Sequence, residues 1–181
     1  MNLRKLQINV LMFGLENSGK SWLFNQWSKH KLIQTSPTKG FNVGTIQNED
    51  VSVSIRDFGG QPHLRKFWCH YLQSASVVFF VIDSTQRDYQ QIQDAKSELQ
   101  SLLDNKMIVW VPFLVLFNKS DLQNSFTNEE ILDEFGLALD QQQIVAKYTH
   151  QAKIMRSSAL QTDQFQDILS WLKQVTQEEP Y

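Results

Sequence analysis

Gly14-Leu15-Glu16-Asn17-Ser18-Gly19-Lys20-Ser21 follows an apolar run (Leu6, Ile8, Val10 to Phe13) and leads into a helical pattern. Glycines at both ends let the backbone curl so that successive N–H groups point inward at an anion, and the helix that follows adds the positive end of its dipole. The stretch reads as a phosphate-binding loop. Lys20 can reach the outer phosphates of a nucleotide as a point charge, while the Ser21 hydroxyl is placed to ligate a magnesium ion bridging them. A glycine-punctuated strand-to-helix turn would share these residues, so the strand before and the helix after are the context on which the phosphate reading depends.

Outward from the loop, strand-like and helix-like segments alternate almost end to end, with no linker, repeat or low-complexity stretch to mark a second domain. Leu23 and Trp27 share one face of a first helix that fades into the polar residues Lys29 to Ser36. Phe41 to Gln47 and Val51 to Arg56 read as an antiparallel hairpin at a sheet edge, turning at Asn48-Glu49-Asp50. Val77 to Ile82 and Val111 to Phe117 are continuous apolar runs, the pattern of parallel strands buried on both faces. Between them Ile92, Ala95, Leu99 and Leu102 recur at helical spacing, and Phe165, Ile168, Leu169, Leu172 and Val175 do so near the end. The expected fold is a doubly wound α/β sheet with the ligand at the carboxyl ends of the strands, where the phosphate loop also lies.

A chain of 181 residues, 41% hydrophobic and 20% charged, is long enough for one domain with a real core and too apolar for a disordered one. A formal charge of −2 leaves no general attraction to nucleic acid or anionic lipid, so partners must be recognised by local surface. One cysteine, Cys69, excludes an internal disulfide, and His30, His63, His70 and His150 show no metal-ligand spacing with it. A reducing compartment is expected. No apolar run reaches membrane-spanning length and no signal-peptide pattern occurs, which makes a cytoplasmic protein the expectation.

Three more stretches fall where a guanine-nucleotide switch needs them: Asp57-Phe58-Gly59-Gly60-Gln61, Asn118-Lys119-Ser120-Asp121 and Ser158-Ala159-Leu160. In order and spacing, the chain from Leu6 to about Leu172 resembles the small GTPases, and among them the Arf-like family. The closest markers are Ser36-Pro37-Thr38-Lys39-Gly40-Phe41-Asn42-Val43, Gly59-Gly60-Gln61, and Leu64-Arg65 through Phe67-Trp68-Cys69-His70-Tyr71.

The resemblance implies a three-layer P-loop GTPase domain spanning 1–181, with a mostly parallel, mixed six-stranded sheet and helices on both faces. It implies GTP or GDP as ligand and Mg²⁺ as ion. Around the nucleotide it puts Gly14, Glu16, Asn17, Ser18, Gly19, Lys20, Ser21, Trp22, Thr38, Gly60, Asn118, Lys119, Asp121, Ser158, Ala159 and Leu160. Ser21 and Thr38 would hold the ion, with Asp57 acting through water. Asp121 can accept two hydrogen bonds from guanine's ring N–H and exocyclic amino group, whereas adenine's bare ring nitrogen would leave the carboxylate unpaired. Asn118 would brace the base and neighbouring loops, Lys119 would lie along the ring, and the Ala159 N–H would meet the base oxygen. Gln61 would orient the attacking water and Lys20 stabilise the phosphates.

Two loops, about Lys31 to Val43 and Asp57 to Gln73, would then be ordered by the third phosphate and released when it leaves. Hydrolysis would be slow, because no arginine can be assigned as an internal finger and a partner would be expected to supply one. Arg65 and Arg56 read as surface or effector-facing charges. An effector, an exchange factor and an activating protein are expected partners; nucleic acid and an obligate oligomer are not. Two other classes remain open at this stage: a non-cycling interaction subunit that keeps guanine nucleotide as a structural cofactor, and a small kinase on the same loop.

Departures from the family pattern carry expectations of their own. Asn2 stands where membrane-binding members carry a myristoylated glycine, so no direct lipid anchor is expected, and recruitment to a membrane or larger assembly would be by a partner. Glu16 replaces the usual aspartate and puts a longer acid near the attacking water, where repulsion would weaken catalysis. Arg56 stands where the family usually has tryptophan, in an effector surface with Lys39, Phe41 and Tyr71, so an effector with acidic or polar groups opposite it is expected. Residues from Gly136 to Ser157 read as a longer surface loop or extra helical turn, and Cys69 as a packing residue.

Overall fold

The computed structural model describes residues 5–29, 35–47, 49–137, 151–161 and 163–177. Its strands are β1 (Leu6–Phe13), β2 (Phe41–Gln47), β3 (Val51–Phe58), β4 (Val77–Asp83), β5 (Phe113–Asn118) and β6 (Ala152–Arg156). They form one sheet in the order β2-β3-β1-β4-β5-β6. Every neighbouring pair is parallel except the β2–β3 hairpin, which puts β2 on the edge. The sheet is mixed and mostly parallel, as expected. The strand order reverses around β1, which puts the turn after Phe13 at the crevice where such sheets take their ligands.

The helices are α1 (Lys20–Lys29), α2 (Pro62–Arg65), α3 (Trp68–Tyr71), α4 (Tyr89–Leu103), α5 (Asn128–Phe135) and α6 (Gln164–Gln177). Alternate residues of the buried strands feed two cores. Leu11, Phe13, Phe80 and Val115 pack with Ile92, Leu99 and Leu102 of α4 and Ile131 of α5. On the other face Val10, Met12, Phe79 and Leu114 pack with Leu23 and Trp27 of α1 and Phe165, Ile168 and Leu172 of α6. Each such fully buried side chain contributes about 1.5–3 kcal/mol before chain entropy is counted, so the strand ends that carry the site sit on a rigid platform.

Several boundaries differ from the sequence reading. β3 runs to Phe58 rather than Arg56, held by pairing Phe41 with Phe58 across the hairpin. β5 begins at Phe113, because Pro112 has no N–H for the ladder and the Val111 N–H is drawn into a turn with the Ile108 carbonyl at 2.9 Å. The sequence reading did not assign α5, yet its signals are local. Thr127 and Glu130 form a capping box, and Gly136 ends the helix at φ 66°. Asn2, His30, His150, Asn48, residues 31–34 of the first expected switch loop and 138–150 of the expected extra segment lie outside the described residues. Among the described residues no helix is long and apolar enough to cross a membrane.

Candidate functional site

The loop between β1 and α1 wraps the Lys20 ammonium. Nζ donates to the carbonyls of Gly14 at 2.8 Å and Leu15 at 2.6 Å and to Ser18 Oγ at 3.2 Å. The side chain is almost wholly buried, and burial pushes its pKa down to about 8, opposed mainly by the Asp57 carboxylate while the nearby Arg65 charge lowers it further. An ammonium held this way faces a strong incentive to meet an anion. Gly19 sits at φ 87°, and a Cβ there would overlap the Asn118 amide, so this position admits only glycine.

At the foot of α1, Ser21 Oγ donates to Asp57 Oδ2 at 2.6 Å and lies 3.2 Å from Thr38 Oγ1. Asn42 Nδ2 donates to both Asp57 Oδ2 and Thr38 Oγ1, at 3.4 and 3.3 Å. Thus the three side chains expected around a cation, from α1, the loop before β2 and the end of β3, already converge. Asp57 is fully buried, and its other oxygen, Oδ1, has no hydrogen-bond partner among the described residues. Burial raises its pKa, with the bond from Ser21 and the Lys20 charge opposing. Two hydroxyls and an orphaned carboxylate oxygen are hard donors that suit Mg²⁺.

Past β3 the chain lies against the phosphate loop. A Cβ on Gly60 would overlap the Glu16 nitrogen and the Gly14 carbonyl, so only glycine allows this approach. Gly59 N–H donates to the Gly40 carbonyl at 2.8 Å, and the Gly59 carbonyl accepts from the buried Trp68 Nε1 at 3.1 Å. Gln61, in extended conformation ahead of α2, faces the same cavity.

The far end of the site is built by the ends of β5 and β6. Asn118 is buried; its Nδ2 donates to the Ser18 carbonyl at 2.9 Å, and its Oδ1 accepts from Ser157 Oγ at 3.4 Å. Lys119, at φ 63°, swings its Nζ to Asp83 Oδ2 at 2.6 Å. Asp83 is fixed in turn by accepting from Thr85 N–H and Oγ1 at 2.9 and 2.7 Å. Asp121 is exposed beside this loop, and the loop is tied to the Ser158 stretch through the Ser120 N–H and the Ser157 carbonyl at 3.0 Å.

These pieces enclose a cavity of about 700 Å³. Its walls include Glu16, Asn17, Gly19, Lys20, Ser21, Trp22, Thr38, Gly60, Gln61, Asn118, Lys119, Asp121, Ser158, Ala159 and Leu160. Gly14, Ser18 and Asp57 are not on the wall; they stand behind it, bonded to Lys20 or Ser21. Thr35, Ser36, Pro37, Phe58 and Leu122 also line the cavity and were missed by the sequence reading. Thr35 to Pro37 were legible as neighbours of Thr38, whereas Phe58 and Leu122 offer no polar chemistry to flag them.

The expected effector surface is partly assembled. The Phe41, Phe58 and Tyr71 rings touch pairwise, with centroids 4.8 to 5.7 Å apart. Lys39 and Phe41 are exposed, and half-buried Arg56 donates from Nη1 to Ser74 Oγ at 3.1 Å. Two expectations are corrected. Cys69 is exposed on α3 rather than packed, because the helix turns Trp68 inward instead. Arg65 is not a surface charge: its side chain is 10% exposed, bonded to the Gly60 carbonyl and facing two acids of α4.

The chain resembles known proteins along most of its length. The model of the ADP-ribosylation factor family matches residues 1–176. ADP-ribosylation factor-like protein 2 of Dictyostelium discoideum is 34% identical over 169 residues, 93% of this chain and 87% of that protein. The Arl6 BBS3 small GTPase of Trypanosoma brucei, solved with the nucleotide analogue GppNp, superposes with a TM-score of 0.79 at 28% identity, covering 96% of this chain and 99% of that one. The mammalian SRP receptor superposes at 0.72 and 21% identity over 92% and 99%, a likeness of fold alone.

Proposed function

The chain belongs to the ADP-ribosylation factor family of small GTPases, and on that basis we propose that it is a GTP/GDP switch that hydrolyses GTP slowly and signals through its two switch loops. The observation that carries this reading is the convergence of Ser21, Thr38 and Asp57 with Gly60 lying against the phosphate loop. Three side chains from three separate segments meet there, with the Gly60 backbone closing against the loop beside them.

In this reading Lys20 and the loop amides hold the phosphates, Ser21 and Thr38 hold Mg²⁺, and Asp57 orients the ion's water. The ion, when bound, neutralises charge on the outer phosphates. Gln61 orients the attacking water, and Asp121 selects guanine through its paired acceptors while Asn118 and Lys119 fix that loop. Lys119 leaves Asp83 to lie along the base. Arg65 is already engaged and does not serve as a finger, which supports slow turnover until a partner donates an arginine.

Exchange and activating proteins, and recruitment from the cytoplasm by a partner, belong to the same proposal. An effector surface of Lys39, Phe41, Arg56 and Tyr71 would read the switch, with an acidic or polar group of the effector opposite Arg56. One observation favours a non-cycling subunit instead: Glu16 lines the cavity near Lys20, where its charge would repel a terminal phosphate. Single-turnover hydrolysis separates the two. A cycling enzyme turns GTP over and loses that turnover with Gln61→Leu, whereas a structural subunit shows none in either form.

A further inference from the structure

Arg65 joins three parts of the molecule that a surface charge would leave separate. Its Nε donates to the Gly60 carbonyl at 2.9 Å, and its Nη1 faces Glu98 at 3.6 Å and Asp94 at 4.0 Å, both on α4. The side chain is nine-tenths buried, so the guanidinium is held rather than swept through solvent. A planar fork that is bonded on one edge to a backbone carbonyl and on another to carboxylates has little rotational choice left.

The geometry of the peptide bond gives this clamp a consequence. In a trans peptide the carbonyl and the next residue's N–H point in opposite directions from one plane. Trp68 Nε1 holds the Gly59 carbonyl and so turns the Gly60 N–H the other way. Arg65 holds the Gly60 carbonyl and so turns the Gln61 N–H the other way as well. Gly60 lies directly against the phosphate loop, so the direction in which these two peptides face decides which of their groups meet a bound phosphate.

We propose that Arg65, braced by Glu98 and Asp94 of α4, is a positioning residue that sets the Gly60–Gln61 peptide against the outermost phosphate. It thereby supplies part of the preference for triphosphate over diphosphate. The proposal rests on the nucleotide reading given above. Arg65 does not line the cavity; it acts through Gly60 and Gln61, which do. The acids of α4 are the other half of the device, because without them a buried guanidinium close to Lys20 would be repelled from its place.

The test uses the full chain, with affinities for GDP and for a non-hydrolysable GTP analogue measured in parallel on the unmodified protein, Arg65→Ala and Glu98→Gln. Loss of a charge-assisted hydrogen bond predicts that the triphosphate-to-diphosphate affinity ratio falls about tenfold in Arg65→Ala and less in Glu98→Gln. The GDP affinity stays close to that of the unmodified protein. Equal losses for both nucleotides would make Arg65 a structural residue and overturn the proposal, as would an unchanged ratio in both variants. If the unmodified protein bound neither nucleotide, the nucleotide reading itself would fall and take the proposal with it.

Discussion

Asn118 Nδ2 donates to the Ser18 carbonyl across 2.9 Å, joining two loops 100 residues apart in the chain. One buried amide therefore ties the segment expected to read the base to the segment expected to hold the phosphates. Asn118→Ala leaves the Ser18 carbonyl buried without its partner, a cost of about 1–3 kcal/mol. The expected outcome is a lower denaturant midpoint together with nucleotide release roughly tenfold faster, both read on the same preparation. Faster release with unaltered stability would mean that the bond matters only to the ligand.

Gly60→Ala asks whether the close approach to the phosphate loop is functional. A Cβ there overlaps backbone atoms of Gly14 and Glu16, which have no flexible end to give way. The second switch should swing out, so the GTP analogue loses about tenfold or more in affinity while GDP is bound nearly as before. Competition binding with both nucleotides checks it.

Lys20 gives a pH signature. Its folded pKa, about 8, lies below the ordinary 10.5, so below about pH 8 the group is charged in both states and its burial costs stability in full, roughly 3 kcal/mol. As pH climbs from 8 toward 10.5, the unfolded chain binds the extra proton and that cost fades. Phosphate oxygens around Nζ would push the pKa back up, so nucleotide binding near pH 9 should take up a proton that binding near pH 7 does not. Calorimetry in two buffers of different ionisation heat measures it, and equal proton uptake at both values would remove Lys20 from the phosphates.

Asp57 predicts the response to metal removal. Its carboxylate has a raised pKa because it is buried, and Oδ1 lacks a partner among the described residues. A divalent cation should relieve both conditions. Chelating Mg²⁺ should speed nucleotide release by about tenfold or more, and Asp57→Asn should release fast with or without chelator. An unchanged chelator response in Asp57→Asn would shift the metal role to other residues.

The phosphate loop, the parallel strands and the principal helices were legible because each is a local pattern: glycines at fixed offsets, unbroken apolar runs, helical spacing. The α5 capping box at Thr127 and Glu130 was equally local and was passed over. Arg65 was misread for a physical reason. Its partners Asp94 and Glu98 sit on a helix that meets α2 only after the sheet has brought them together, and no spacing in the chain announces that. Cys69 erred for a related reason, since which face of the short helix α3 turns inward is decided by Trp68 reaching the Gly59 carbonyl. Asp83 as the holder of Lys119 is likewise a matter of the parallel pairing of β4 with β5, which sets Asp83 opposite Asn118.

The central claim is that this cavity holds a guanine nucleotide through the Lys20 loop and the Asp121 carboxylate. Calorimetric titration of the nucleotide-stripped full chain with GDP, GTP and ATP in Mg²⁺ tests it most directly. Saturable binding of both guanine nucleotides, with ATP weaker by about a hundredfold or more, is the result predicted. Absence of heat with GDP and GTP, or ATP competing on equal terms, would contradict it.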